Sequence, residues 1–472
     1  MADAGRTSLS DALNDAPLAK FHLRAMVTSG MGFFTDAYDL FIIGTATIII
    51  KNEWHLTTAQ AGLINSITLI SAFVGAFVFG RAADVLGRKR IYGLEAAIMV
   101  VGALASALAP DLIWLLVFRF VLGLGIGGDY PVSAVLMSEY ANARDRGKLV
   151  GLVFSMQALG MIVGPMVGLI LLASGMGGDV AWRVMLGLGA VPAAAVVLLR
   201  RRMPESPRYA SQVQGRGQEA AASMAAYSEG VVSVDGASEA SPRLGLRQFL
   251  RTPRYLLYLV GTAGTWFAFD YAYYGNSVSA PLVIQGFLGG GHHALTQTLA
   301  INLIVFLLAA VPGYYLACFT MDRIGHRRLQ LLGFAGMGLA FLLIGLVPGL
   351  STVLVPFLIV FGISYFFAEF GPNTTTFVLS GEVYPVSART TGHGLSAGFA
   401  KVGAFIGVFV FPILKAQLGL SGTLTVTAVF ALVGMALTLL LPEPTGRSLE
   451  ELSGKAPVVH REAEEVLEPA QT

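Results

Sequence analysis

The sequence predicts an all-α membrane protein: twelve transmembrane helices arranged as two pseudo-symmetric six-helix bundles. Three observations carry that reading. Hydrophobic residues make up 55% of the 472 and charged residues only 13%, whereas a soluble domain needs about a quarter charged to cover its surface. The mean hydropathy of +0.68 agrees. Apolar stretches of the length a bilayer demands recur along the whole chain, and the two halves echo each other.

A membrane-crossing helix needs roughly 20 mostly apolar residues. Such stretches are read at 26–50, 58–80, 91–109, 112–137, 148–174 and 182–199, then at 254–284, 296–318, 330–349, 352–379, 392–415 and 421–441. The expected organisation is a cytoplasmic segment 1–25, a bundle 26–199, a central loop 200–253, a second bundle 254–441 and a tail 442–472. Ser8 to Met26 reads as a short helix at the membrane surface. The central segment is rich in Ala, Ser, Gly, Gln and Glu. Such a composition buries little apolar area, so a loop with little fixed structure is expected.

The echo lies in the loops and in the first helix of each half. Asp84-Val85-Leu86-Gly87-Arg88-Lys89-Arg90 returns as Asp322-Arg323-Ile324-Gly325-His326-Arg327-Arg328, 238 residues on. Phe33-Phe34-Thr35-Asp36 is answered by Trp266-Phe267-Ala268-Phe269-Asp270, 234 residues on between the aspartates. Inverted or parallel repeats of this kind place a ligand between the halves, near mid-membrane. Lys and Arg crowd one set of short loops: Arg81, Arg88 to Arg90, Arg144, Arg146, Lys148, Arg200 to Arg202, Arg323, Arg327 and Arg328. The alternate loops hold little beyond Lys51, Arg183 and Lys415. The positive-inside bias therefore sets both termini and the central loop in the cytoplasm. The first 25 residues lack the features of a cleavable signal peptide, and the single Cys318 allows no internal disulfide.

Ionisable residues at mid-membrane cost about 2.5–3.5 kcal/mol each on insertion scales, so each needs a reason. The predicted spans carry Asp36 and Asp39, Arg119 and Asp129, Asp270, Glu369, Glu382 and Lys401. Static ion pairing explains single members, Arg119 and Glu382 first, but not the whole set. Trp266, Asp270 and Tyr274 stand four residues apart and share one helix face. An indole donor, a carboxylate and a phenol in one stripe suit a small polar ligand. The run Gly123-Leu124-Gly125-Ile126-Gly127-Gly128-Asp129-Tyr130-Pro131 mimics a nucleotide loop, yet no strand precedes it, and close helix approach is the better reading. Gly160, Gly164 and Gly168 form another packing stripe. No nucleophile–base pair or metal-ligand cluster stands out, so neither an enzyme nor a cofactor is expected. His292-His293 reads as an incidental loop pair.

Gly80-Arg81 through Asp84 to Gly87-Arg88-Lys89-Arg90 resembles the loop signature of the major facilitator superfamily, and Arg119 through Gly127 is similar to its fourth-helix motif. Pro204-Glu205-Ser206-Pro207-Arg208 and Pro442-Glu443-Pro444-Thr445-Gly446-Arg447 resemble its sugar-porter branch. Gly125-Ile126-Gly127-Gly128-Asp129-Tyr130-Pro131 closely resembles the signature of the phosphate:proton symporters. The resemblance implies a secondary active transporter importing inorganic phosphate with protons by alternating access, with arsenate as an analogue. It implies a substrate site of Tyr130, Gln157, Trp266, Asp270, Tyr274, Asn373 and Lys401. Asp36, Asp39, Asp129 and Asp270 match the proton-pathway acids. Arg81, Asp84, Arg88, Arg119, Glu139, Asp322, Arg323 and Glu382 are expected to serve gating or structure. His326, where the second loop motif usually has Arg, is a departure. The donors Tyr130, Tyr274, Trp266, Gln157, Asn373 and Lys401 suit an oxyanion. Asp270 fits beside them if the anion brings a hydroxyl or the carboxyl is protonated.

Two other readings stand beside this one. Asp36-Ala37-Tyr38-Asp39 is similar to a first-helix motif of aromatic-acid symporters, so a proton-coupled importer of an aromatic or dicarboxylic acid is the alternative. A non-transporting nutrient receptor on the same fold is the other. The partners expected are phosphate, protons and the lipid bilayer of the plasma (inner) membrane, with no nucleic acid, for a protein working as a monomer.

Overall fold

A computed structural model describes residues 8–201, 203–234, 244–289 and 292–453, and the side-chain surroundings at 290–295 fall outside it. The His292-His293 pair therefore lies outside the described side chains. Every regular element among the described residues is a helix. Ten helical stretches are long and apolar enough to cross a membrane. They include Lys20–Glu53, Thr58–Leu86, Arg88–Ala107, Leu112–Tyr140, Arg146–Ala173, Gly178–Arg200, Thr296–Ile324, His326–Leu346 and Leu354–Glu382.

Local chemistry sets the helix ends. Thr57 accepts from the Gln60 amide while Gln60 reaches back to the Thr57 N–H, a reciprocal cap that opens the second helix. Asp111 caps Leu112–Tyr140 through the Trp114 amide. Pro253 opens a helix running 36 residues to Leu288, where its missing N–H costs nothing. The stripe of Thr, Trp, Asp and Tyr makes this helix too polar to count among the ten. The stretch Arg389–Thr438 runs 50 residues but is broken at Gly419, whose φ of 69° departs from a helix. Unbroken it would measure about 75 Å at 1.5 Å per residue, more than twice the apolar thickness of a bilayer. Pro372 interrupts Leu354–Glu382. It has no N–H to donate and its ring crowds the carbonyl four residues back, and residues Glu369–Asn373 take a π turn there.

Ile113 is 72% exposed and Leu308 76%. Exposure of such residues around the whole bundle is expected of a surface solvated by lipid tails. The interior is close-packed helix on helix. A Cβ on Gly127 would lie 2.0 Å from the carbonyl of Ala72, and one on Gly160 would lie 2.4 Å from that of Phe34. The glycine runs thus bring helices into backbone contact, as expected of small residues in membrane helices.

The central segment corrects an expectation. Instead of a loop with little fixed structure, it contains helices Pro207–Gln212, Gly217–Tyr227 and Leu246–Arg251. The physical reason is docking. Buried Arg208 donates to Asn14 at 2.8 Å and pairs with Glu450 at 3.4 Å, Gln212 donates to Ser10 at 2.8 Å, and the Tyr140 hydroxyl donates to the Pro204 carbonyl at 3.1 Å. A segment too polar to fold alone is held by polar contacts with the bundle end. The helix Leu9–Asp15, the central segment and the 442–453 stretch all meet there.

Candidate functional site

The buried charges converge between the two halves. Asp270 and Lys401 lie on the helices Pro253–Leu288 and Arg389–Thr438, which pack along each other. Lys401 Nζ donates to Asp270 Oδ2 at 2.8 Å and to the Tyr274 hydroxyl at 3.4 Å, and both charged side chains are 2% exposed or less. The ammonium also lies 4.5 Å from the ring centroids of Tyr130 and Tyr274, close enough for cation–π attraction. Tyr130 comes from Leu112–Tyr140, so the cation bridges the halves. Trp266, one turn before Asp270, is within reach of the same carboxylate, yet its Nε1 has no well-formed hydrogen bond.

A second arm extends from Tyr130. The Gln157 amide donates to the Tyr130 hydroxyl at 3.0 Å, the Tyr314 hydroxyl donates to Gln157 Oε1 at 3.0 Å, and Asn373 donates to the Tyr314 hydroxyl at 2.7 Å. Asn373 donates also to Glu369. The π turn at Glu369–Asn373 is what aims Asn373 inward, a common setting for functional groups. Toward the termini, Phe33, Phe154 and Phe377 close on Tyr130, with Phe154 stacked on Phe377 at 4.4 Å. On the other side Phe41 packs on Tyr274 at 6.5 Å and on Phe306 at 5.6 Å. The polar cluster is thus enclosed between two aromatic layers.

The remaining acids are placed differently from one another. Asp129 is tied to Arg200 at 2.5 Å and to Ser133 at 2.6 Å, and Arg200 also pairs with Glu95 at 3.1 Å. Asp39 faces Arg119 at 3.8 Å, and Arg119 donates to the Asp39 carbonyl at 3.1 Å. Asp36 is fully buried, and neither of its carboxylate oxygens has a hydrogen-bond partner among the described residues. It lies in electrostatic range of Asp129, Arg200, Asp39 and Lys401. This carboxylate therefore stands between the Arg200 cluster and the Lys401 site.

At the end bearing both termini, two matching sets of ion pairs join the halves. Glu139 takes Arg88 from its own half at 3.3 Å and Arg389 from the other at 3.1 Å. Glu382 takes His326 from its own half at 3.0 Å and Arg146 from the other at 2.7 Å. Asp84 pairs with Arg88 at 3.0 Å and crosses over to accept from Thr390 and Thr391. Asp322 meets His326 at 3.1 Å and accepts from the Lys148 amide at 2.8 Å. Glu139 and Glu382 are 243 residues apart, as are Arg146 and Arg389. Each glutamate grips the other half's arginine. The bundle is closed at this end. The side chains of Arg81 and Arg323, expected to serve gating or structure, make no hydrogen bond or ion pair among the described residues.

Sequence reasoning missed Tyr314, the joint between Gln157 and Asn373, and His393, buried edge-on to Trp266 at 5.5 Å. One of two adjacent tyrosines in Gly313-Tyr314-Tyr315 and a lone histidine carry no signal in a sequence. It also counted Arg200 among loop cations, though the chain buries it against Asp129 and Glu95.

Comparison with known proteins is extensive. The sugar (and other) transporter profile matches residues 25–455. A probable inorganic phosphate transporter 1-6 of Arabidopsis thaliana is 35% identical over 507 residues, covering 96% of this chain and 98% of that one. Inorganic phosphate transporter 1-6 of Oryza sativa subsp. japonica is 35% identical over 526 residues, covering 98% and 97%. Among solved structures, the proton:xylose symporter XylE bound to 6-bromo-6-deoxy-D-glucose superposes with a TM-score of 0.78 at 18% identity, over 92% of this chain and 98% of that one. That likeness shows the fold to be the membrane-spanning major facilitator fold.

Proposed function

The chain belongs to the sugar (and other) transporter family and groups with its inorganic phosphate transporters, and from that membership we propose that it imports inorganic phosphate together with protons by alternating access. The observation that carries the reading is the Lys401–Asp270 pair inside a ring of hydroxyl, indole and amide donors.

The chemistry follows from charge. As an ion pair, Lys401 and Asp270 are neutral together. A phosphate monoanion entering the pair draws Lys401 to its oxygens and leaves a surplus negative charge in a buried site, which is costly. A proton on Asp270 relieves that cost, whereas the P–OH groups that the monoanion already carries can donate to the carboxylate without changing the charge. Substrate and proton then bind as one event, which is coupling. Tyr130, Tyr274, Trp266, Gln157 and Asn373 supply the remaining donors. Asp36 is the acid without a partner, so it is assigned the transfer of the proton, with Asp39 and Asp129 held by Arg119 and Arg200 until the halves rearrange. The paired glutamate locks are assigned to the gate at the terminal end.

The architecture proposed is twelve crossings: the ten apolar stretches, the polar helix Pro253–Leu288, and a second leg gained where Arg389–Thr438 turns at Gly419. The units are 26–199 and 254–441, with 1–25, 200–253 and 442–472 on the cytoplasmic face of the plasma membrane. A single copy suffices, because both halves of the site come from one chain.

Competition against labelled phosphate in proteoliposomes tests the substrate. Arsenate, which keeps a proton and the same shape, is expected to inhibit. Sulfate at matched ionic strength is a dianion without a hydroxyl: one proton on Asp270 still leaves the buried site a negative charge in surplus, and an ionised Asp270 meets only lone pairs, so sulfate is expected to be rejected strongly. Inhibition by sulfate as strong as by arsenate refutes the role of Asp270. Inhibition by an aromatic or dicarboxylic acid alone moves the chain to the organic-acid importers.

A further inference from the structure

At the end opposite the termini, a cavity of about 290 Å³ opens between the halves. One half contributes Thr47, Lys51, Thr58 and Asn65, and the other contributes the apolar Val278 and Leu282. No acidic side chain lines it. Of the three cations that the sequence places on this side, Arg183 is consumed: it pairs with Asp179 at 3.1 Å, donates to the Ala107 and Ala109 carbonyls, and stacks on Trp182. The other two flank the cavity, one from each half. Lys51 lines its wall with only a 3.5 Å contact to Thr58. Lys415 stands at its rim, 3.2 Å from the carbonyl of Leu282. Neither has a carboxylate partner among the described residues.

The cavity leads to the buried pair. Its floor residue Gly44 is three residues beyond Phe41, and Val278 is four beyond Tyr274. At 1.5 Å per residue the floor is about 5–6 Å above the Phe41–Tyr274 contact that covers Lys401. Lys51 lines this cavity, Lys415 lies beside its Leu282 wall, and no acidic side chain lines it.

We propose that this cavity is an anion-recruiting vestibule, a second oxyanion site in which Lys51 and Lys415 hold phosphate before Phe41 and Tyr274 part. The proposal rests on the phosphate reading above. The polar donors are suited to it. Asn65 spends its carbonyl on the Thr47 hydroxyl at 2.7 Å, and its amide remains to donate inward. Two cations against no lining anion make a concave site of one sign, the arrangement that focuses a field and raises the local concentration of a small ion. Because the vestibule works by charge and not by a hydroxyl, it sets capture, while the Asp270–Lys401 pair sets selectivity.

The test is phosphate uptake by proteoliposomes at low and high ionic strength. In the Lys51→Gln/Lys415→Gln variant, KM is expected to rise about threefold or more at low ionic strength with the maximal rate unchanged, and the salt dependence of KM to flatten, since exposed charges are screened within about 8 Å at physiological salt. Lys51→Arg/Lys415→Arg should restore the wild-type KM. In parallel, an amine-modifying reagent is applied to the wild-type protein with and without phosphate, arsenate or benzoate at equal ionic strength, and modification of Lys51 and Lys415 is read by mass spectrometry. Protection of both by an added anion supports the vestibule. An unchanged KM and salt slope in the Gln variant overturns it while leaving the phosphate reading intact. Absence of phosphate uptake by the wild type overturns the phosphate reading instead, and the modification arm then decides the vestibule: protection by any of the anions retains it, and none rejects it.

Discussion

Asp270→Asn keeps the shape of the side chain at the centre of the site but removes its charge. Lys401 then loses an ionic partner 2.8 Å away in a place where both side chains are shielded from solvent. Removing one member of a buried pair typically costs about 3–5 kcal/mol, because the survivor is left charged and alone. The thermal midpoint of the purified protein is expected to fall. A bound phosphate hydroxyl would donate to a neutral amide oxygen in place of a carboxylate, losing the charge-assisted part of a hydrogen bond worth about 1.5–3 kcal/mol, at most roughly 150-fold in affinity. Uptake driven by an imposed proton gradient should be abolished. Lys401→Ala should impair transport more than Lys401→Arg. The double variant Asp270→Asn/Lys401→Ala should be more stable than the sum of the single losses, since no lone charge remains. The assay pairs gradient-driven uptake in proteoliposomes with melting of the four proteins in detergent. Wild-type uptake by Asp270→Asn across the pH range, or strictly additive stability losses, would refute the pairing.

Asp36→Asn is expected to abolish accumulation driven by a pH gradient while leaving phosphate counterflow measurable, and Asp39→Asn to lower stability first, because it strands Arg119, with a smaller loss for Asp129→Asn, since Glu95 still faces Arg200; full accumulation by all three makes these acids structural. His326→Arg converts the contact with Glu382 and Asp322 from one that is ionic only when the ring is protonated into a permanent one, so the gate should stay locked on the alkaline side, where the histidine ring would lose its proton, and uptake there should slow relative to wild type; an unchanged alkaline limb would count against His326 as part of the gate. Burial works against the charge of Glu450, but Arg208 outweighs it and holds the carboxyl down to about 2 from its usual 4.5; the stability this gives is present in full above about 4.5 and is lost as pH falls toward 2. Glu450→Gln should therefore melt lower than wild type at neutral pH, with the gap closing as the solution is acidified, and a gap independent of pH would show that the charge contributes nothing.

What the sequence made legible follows from where its signals come from. Bilayer thickness forces long apolar runs, so most of the long helices could be read directly, the run at 254–284 within Pro253–Leu288 among them, and the Trp266-Asp270-Tyr274 stripe marked the polar face of that helix. The motif loops announced Asp84, Arg88 and Asp322, which do join the halves. Contacts between helices far apart in the chain left no trace. Tyr314 is 157 residues from Gln157 and 59 from Asn373, and nothing in its neighbours marks it as the link. Arg200 looked like one of three loop arginines, yet it turns inward to Glu95 and Asp129. The central segment was misjudged for a related reason: its composition was weighed as if it had to fold by itself, whereas it binds to surfaces made by Asn14, Tyr140 and Glu450.

The exchange of arginines between the two glutamate locks has a consequence for biogenesis. Glu139 leaves the ribosome 250 residues before Arg389, the partner that completes its lock. At roughly 5–20 residues per second that interval is about 10–50 s. Arg146 likewise waits for Glu382. During translation the first half is therefore inserted with Glu139 held by Arg88 alone and Arg146 without its acid, and it reaches its final stability only after the second half packs against it. A nascent chain stalled before residue 382 should be the form that membrane proteases degrade.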